Sequence, residues 1–269
     1  MPRPSTPEDA MRGFLSGEDP GLARMRRIMR HVPRGPNCKL CNVPFEGPGG
    51  AVLRHVGFAR FTGNPAICSN CMKDLNKVGV FGAEIPVSLL FADIRGSTGI
   101  GERSSPTEFR AFLDRFYRLS SRAVLDNDGM VDKFVGDEVI GLFFGGISGT
   151  QHTAAAIRAA RALLDAVGRA DASDSGPIPV GAAVHTGHAF VGSTGGDAGV
   201  ASDFTALGDV VNTTARLASE AAAGELLVSI EAAKAGDLDL PSLEHRILVV
   251  RGRSDAVEVV ALRPPEKPD

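Results

Sequence analysis

The chain has 269 residues, 43% of them hydrophobic and 23% charged, with a formal net charge of −3, an ordinary composition for a folded protein able to bury a core. That charge excludes a polyanion-binding surface as the main feature, so nucleic acid is not an expected partner, and no apolar run approaches the ~18–20 residues of a membrane span. The N-terminal stretch "MPRPSTPEDAMRGF" lacks the apolar segment of a secretory signal, and a cytoplasmic location is expected.

Residues 7 to 31 read as helical, with Leu22, Met25, Ile28 and Met29 at helical spacing and Arg24, Arg26, Arg27 and Arg30 among them. A charge run of this kind is most often a solvated face, and a regulatory or dimer-contacting helix is the sharper alternative. "HVPRGPN" ends the helix. Four cysteines follow, as Cys38-x-x-Cys41 and Cys68-x-x-Cys71. In a reducing compartment such pairs argue for a metal site over disulfides. They resemble a zinc-ribbon or treble-clef knuckle, which implies a structural Zn²⁺; an iron–sulfur cluster is the rival and a redox-active dithiol pair the third reading. The segment between the pairs has few large apolar residues, so a metal would stand in for a core. His55 lies there too, but four thiolates complete a tetrahedral site and leave it a packing or surface residue. The expected organisation is a helical segment over 1–35, a cysteine module over 36–80 and a larger domain over 84–264.

"VSLLFADI" is a strand whose near-continuous apolar run predicts burial on both faces. Residues 106 to 127 carry helical periodicity behind Pro106. "DNDG" then turns the chain into a hairpin, "VDKFVGDEVIGLFF". Residues 151 to 170 form an alanine-rich helix, "DASDSGP" a loop, "IPVGAAVHTG" and "AFVGS" a strand pair, and "TGGDAG" a connection. A helix from about Val210 to Ala222 precedes the strand "ELLVSI". A strand pair near 244–250 and 256–262 closes the domain, and "PPEKPD" is a tail. The order predicts an α+β sheet with helices on one face.

Asp93 ends the first strand before "IRGST", where a carboxylate beside a glycine-containing loop suits a divalent cation and phosphate oxygens. By itself, an Asp there is as readily a helix cap. Asp137, in the hairpin turn, would come near the same strand end. Two carboxylates there can hold two hard cations for in-line phosphoryl displacement. Glu138 alternates to the other side of its strand and is left out. Asn212 and Arg216 are one helical turn apart and share a face, offering an amide for a sugar and a guanidinium fork for phosphate; a surface polar stripe is the plainer reading.

"FADIRGST", "KFVGDEVIGLF", "VHTGHAFVG" and "FTALGDVVNTTARL" together resemble, in order, the signature blocks of class III nucleotidyl cyclases over about residues 86 to 262. The resemblance implies a ferredoxin-like catalytic domain working as a head-to-tail homodimer with sites at the interface. It implies two Mg²⁺ or Mn²⁺ ions on Asp93 and Asp137, with the Ile94 carbonyl as a further ligand. Lys133 and Thr205 match the purine-reading positions, Asn212 the ribose-orienting residue and Arg216 the arginine on the reacting phosphate. The lysine–threonine pair goes with ATP, whereas guanylyl cyclases typically carry glutamate at the lysine position. Adenylate cyclase is therefore the expected activity, with guanylate cyclase or a silent nucleotide-binding signalling protein as alternatives. Ser97 stands where many relatives carry an aromatic residue. Arg251 is a candidate for the terminal phosphates, and a surface salt bridge explains it equally well. No regulatory partner of the N-terminal module is legible.

Overall fold

Thr6 accepts a hydrogen bond from the Asp9 amide and Pro7 opens the first turn of α1 (Pro7–Ser16). In this computed structural model, which describes residues 6–29, 31–32, 36–62, 64–77, 82–169, 176–194, 203–249 and 256–263, the expected helix over 7–31 is two helices. Gly17 takes the left-handed conformation (φ 81°) and closes α1. Asp19 Oδ1 then accepts from the Leu22 amide at the start of α2 (Pro20–Met29). Gly17 and Pro20, three positions apart, override the apolar spacing. Most of "DASDSGP" and "TGGDAG", the final tail, Arg30 and Arg251 lie outside the described residues.

The cysteine region holds α3 (Gly47–His55), a ribbon of β1 (Arg60–Phe61) and β2 (Asn64–Cys68), and α4 (Ser69–Lys77). His55 ends α3, exposed. The long strand β3 (Gly82–Ile94) starts earlier than its apolar run alone indicates. After α5 (Ser97–Arg103) comes α6 (Pro106–Asp126), started by a capping box in which Ser105 and Glu108 satisfy each other's backbone N–H groups. The hairpin β4 (Met130–Val135) and β5 (Glu138–Phe144) follows as expected, then a short α7 (Gly145–Ser148) and α8 (His152–Gly168).

β6 (Val180–Thr194) corrects the expected strand pair over "IPVGAAVHTG" and "AFVGS": it is one strand. Gly187 does not turn it. A Cβ there would stand 3.3 Å from Val210 Cγ2, so this glycine admits a neighbouring helix. The remaining elements are β7 (Asp203–Leu207), α9 (Asp209–Glu220), β8 (Leu226–Ser229), α10 (Ile230–Ala235), β9 (Glu244–Leu248) and β10 (Val257–Leu262).

The main sheet has the order β4-β5-β3-β6-β8-β10-β9, with β7 paired to the far end of β6. β6 and β8 are parallel while the β8–β10, β10–β9, β4–β5 and β6–β7 pairs are antiparallel, giving a mixed α+β sheet. The described residues group into two compact units. One is drawn from Met1–Pro86, Phe144–His152 and His188–Leu207, and the other from Val87–Phe143, Thr153–Gly187 and Gly208–Asp269.

In the second unit, alternate β3 side chains Leu90, Ala92 and Ile94 share one core with Phe116 of α6, Ala156, Ala160 and Leu163 of α8, and Ala232 of α10. The alanines of α8 keep that helix close to the sheet, and a buried side chain the size of Phe116 contributes about 1.5–3 kcal/mol. No described helix is long and apolar enough to cross a membrane.

In the first unit, Met11 and Leu15 of α1 are buried, and the backbone of α1 meets the pair Gly145–Gly146 directly after β5. A Cβ on Gly146 would stand 2.5 Å from the Leu15 carbonyl oxygen, and one on Gly145 would collide with that of Ser16. Gly145→Ala is therefore expected to cost about 1–3 kcal/mol in urea unfolding, the usual overpacking penalty. Gly13→Ala in α1, where a Cβ would meet nothing within 4 Å, should instead stabilise by about 0.5–1 kcal/mol.

Candidate functional site

Asp93 is the penultimate residue of β3, and β5 is the neighbour of β3 in the sheet. Val135 pairs with Glu138, leaving Gly136 and Asp137 as a two-residue turn, and Gly136 supplies the positive φ (60°) that such hairpins require. The Ile94 amide donates to the Asp137 carbonyl oxygen at 3.2 Å, fastening this turn to the end of β3. The two aspartates thus come together, while the Ile94 side chain is buried in the core.

Burial pushes the Asp93 carboxyl up to about 6; Arg95 pulls it back and the hydrogen-bonded Asp137 pushes it further up. Glu138, left out on strand alternation, lies within reach of the charges of both aspartates. Burial and then the charges of Asp93 and Asp137 push it up to about 7. At the first residue of a strand, alternation between faces does not insulate a charge from the adjacent turn. Crowded carboxylates of this kind suit a hard divalent cation, which relieves the repulsion that raises them.

Two residues that the sequence reading passed over hold this arrangement. Arg95 Nη2 lies 3.0 Å from Asp93 Oδ2, and the guanidinium also donates to the carbonyls of Ala218 and Ser219, each at 3.0 Å. Those carbonyls end α9, where a cation is favoured by the helix dipole. A Cβ on Gly181 would stand 2.9 Å from Arg95 Nε, so that glycine clears the path. Tyr117, the only tyrosine in the chain, donates its hydroxyl to the Gly136 carbonyl and lays its ring 4.3 Å from that of Phe134. Arg95 lies inside the quoted block "FADIRGST". Tyr117 shows in sequence only as a polar tip on an otherwise phenylalanine-rich helix face.

α9 carries Asn212, exposed, and Arg216, half-buried, one turn apart and off the buried face of Val210, Thr213, Thr214 and Leu217. Lys133 sits on β4 opposite Ile140, its side chain 38% exposed and its Nζ 3.9 Å from Asp132 Oδ1. Thr205, in the first unit, lies on β7 opposite Gly192 and is buried.

The four cysteines converge in the first unit. All their sulfurs lie within 4.8 Å of one another, with Cys38–Cys71 at 3.9 Å and Cys41–Cys68 at 3.7 Å. The Cys38 Sγ accepts the Cys68 amide at 3.2 Å, and Cys68 Sγ accepts the Cys71 amide at 3.4 Å. Hydrogen bonds from the other three cysteines hold the Cys38 thiol well below its usual range. A tetrahedron of Zn–S bonds of about 2.3 Å has edges of roughly 3.8 Å, so the observed separations fit one small ion.

Residues 83–261 match the family described as the adenylate and guanylate cyclase catalytic domain. An adenylate cyclase of Anabaena cylindrica is 29% identical over 169 residues, which is 60% of this chain and 32% of that protein. A terminal-differentiation-specific adenylate cyclase of Dictyostelium discoideum is 25% identical over 68% of this chain and 9% of its own length. The chain thus spans a third or less of these two curated relatives. Among solved structures, the guanylyl cyclase Cya2 has a TM-score of 0.62 at 22% identity, covering 68% of this chain and 93% of that one. The adenylyl cyclase CyaB from P. aeruginosa has a TM-score of 0.57 at 26% identity, covering 68% and 96%.

Arg95→Ala removes charge-assisted hydrogen bonds to the end of α9 together with the ion pair to Asp93. It should lower stability in denaturant melts by about 1.5–3 kcal/mol, whereas Tyr117→Phe, losing one neutral hydroxyl bond, should cost about 0.5–1.5 kcal/mol.

Proposed function

The chain belongs to the adenylate and guanylate cyclase catalytic-domain family, and on that premise we propose that it converts ATP to 3′,5′-cyclic AMP and pyrophosphate. The observation that carries this reading is the meeting of Asp93 and Asp137 at adjoining strand ends, with Arg95 paired to Asp93. Asp93, Asp137 and the Ile94 carbonyl would hold two Mg²⁺ or Mn²⁺ ions. When bound, such ions supply Lewis acidity and neutralise phosphate charge. The ribose 3′-hydroxyl attacks the α-phosphorus in line and pyrophosphate leaves, without a protein nucleophile. Asn212 orients the ribose, and Arg216 offers its fork to the reacting phosphate.

Base choice falls to Lys133 and Thr205. A lysine donates to adenine N1 and a threonine hydroxyl accepts from the exocyclic amine, whereas guanine presents an N1–H and O6 at those places. One chain carries all six positions, so two copies arranged head to tail make two complete sites. Each site takes Asp93 and Asp137 from one copy and Lys133, Thr205, Asn212 and Arg216 from the other.

The cysteine cluster is assigned a structural Zn²⁺. An iron–sulfur cluster, with several irons between its thiolates, needs a wider cage than sulfurs all within 4.8 Å of one another.

Asp137→Ala and Arg216→Ala should each abolish cyclic nucleotide formation, measured by product chromatography with Mn²⁺ and ATP. Mixed, they should regain activity, because one of the two sites in the heterodimer is intact. Heterodimers without recovery would refute the shared site, and wild type without product would leave a silent nucleotide-binding protein.

Lys133→Glu with Thr205→Cys should lose about ten- to a hundredfold in kcat/KM with ATP, the worth of one charged hydrogen bond in a closed pocket, and shift preference toward GTP. An unchanged ATP-to-GTP ratio would show that these side chains do not read the base.

A further inference from the structure

Arg26 lies in the segment expected to present a solvated basic face, and Arg24 and Arg27 are indeed exposed. Arg26 turns inward instead. Its Nε donates to the Leu40 carbonyl at 2.6 Å and its Nη2 to the Lys39 carbonyl at 3.0 Å, both in the turn between Cys38 and Cys41. The same Nη2 donates to the carbonyl of Gly146, two residues beyond β5. Gly17, Gly145 and Gly146 allow this reach, because Cβ atoms there would force the backbones of α1 and α7 apart.

The Lys39 and Leu40 carbonyls are aimed by the cysteine turn itself. Cys38 donates its amide to the Val43 carbonyl at 2.8 Å, Asn42 donates to the Cys38 carbonyl at 2.8 Å, and Asn42 adopts a positive φ of 63°. A cation bound by four thiolates would lock this turn and leave a net negative charge facing the guanidinium. A guanidinium drawn out of water keeps its place only while its donors find acceptors.

We propose that Arg26 is a clasp through which the metal in the cysteine site orders the chain that leaves β5, Gly145 to Ser148. The proposal rests on the reading of the cysteines as a metal site, and not on the nucleotide chosen or on the dimer. With metal bound, the turn presents both carbonyls and Arg26 holds Gly146. Without it, the turn loosens, Arg26 loses its fixed acceptors, and the Gly146 segment is released. This places a thiol-based metal input on a segment outside the residues that match the cyclase family.

Hydrogen exchange read by mass spectrometry on the full chain tests this, with metal content measured in parallel and no other divalent ion in any arm. Stripping the metal from wild type with a chelator under reducing conditions should speed exchange over residues 144–148 by on the order of tenfold. In Arg26→Lys, which keeps the charge but lacks the planar fork, the metal should still bind. Exchange over 144–148 should there be fast already, and stripping should add little. Wild-type protein that binds metal but shows unchanged exchange over 144–148 on stripping would overturn the clasp alone. Acceleration equal in wild type and Arg26→Lys would overturn it too, showing general loosening. Protein that binds no metal at the cysteines would overturn the reading beneath it, while cyclase activity stands or falls separately.

Discussion

Asp93 and Asp137 carry like charges within hydrogen-bonding reach, in a place where burial already disfavours the ionised form. Side chains left to themselves would swing apart. They stay because the backbone holds them: the Ile94 amide bonds the Asp137 carbonyl, and Gly136 makes the turn tight enough for that bond. Much of the second unit can be understood as support for this junction. β3 is buried along nearly its whole length, so its end has little freedom, and the α6–α8 layer packs on Leu90, Ala92 and Ile94 just behind it.

Charge balance at the junction comes from one residue with two tasks. Arg95 faces Asp93 and at the same time donates to two carbonyls in the last turn of α9, those of Ala218 and Ser219. The helix that presents Asn212 and Arg216 is thereby tied to the strand that presents Asp93. Because the tie runs through hydrogen bonds to backbone, it sets the position of the helix end whatever side chains α9 carries.

The first unit is organised by the opposite means, close backbone packing where side chains are absent. Gly145 and Gly146 let α1 settle onto the chain leaving β5, and Arg26 then joins the cysteine turn to the same spot. Four sulfurs within 4.8 Å of one another give this unit a point of order beside its buried Met11, Leu15, Leu40 and Ile67.

What the residues alone determined were the features written in local pattern. The helix start at Pro106, the "VGDE" hairpin turn, the long apolar strand ending at Asp93 and the paired cysteines each depend on neighbours a few positions apart, so spacing reveals them. The ordered signature blocks pointed to the fold in the same way. Tertiary structure decided whatever depends on groups distant in the chain. Gly187 and Gly145 are small because another backbone or helix approaches, not because the chain turns, which is why β6 runs unbroken where two strands were expected. Glu138 feels the charges of both aspartates because a strand end meets a turn. Arg26 leaves the solvated face because carbonyls 13, 14 and 120 residues away converge on it. Periodicity reports which face of an element is apolar; it carries no information about which backbone will come to rest against it, and hydrogen bonds to backbone are made there.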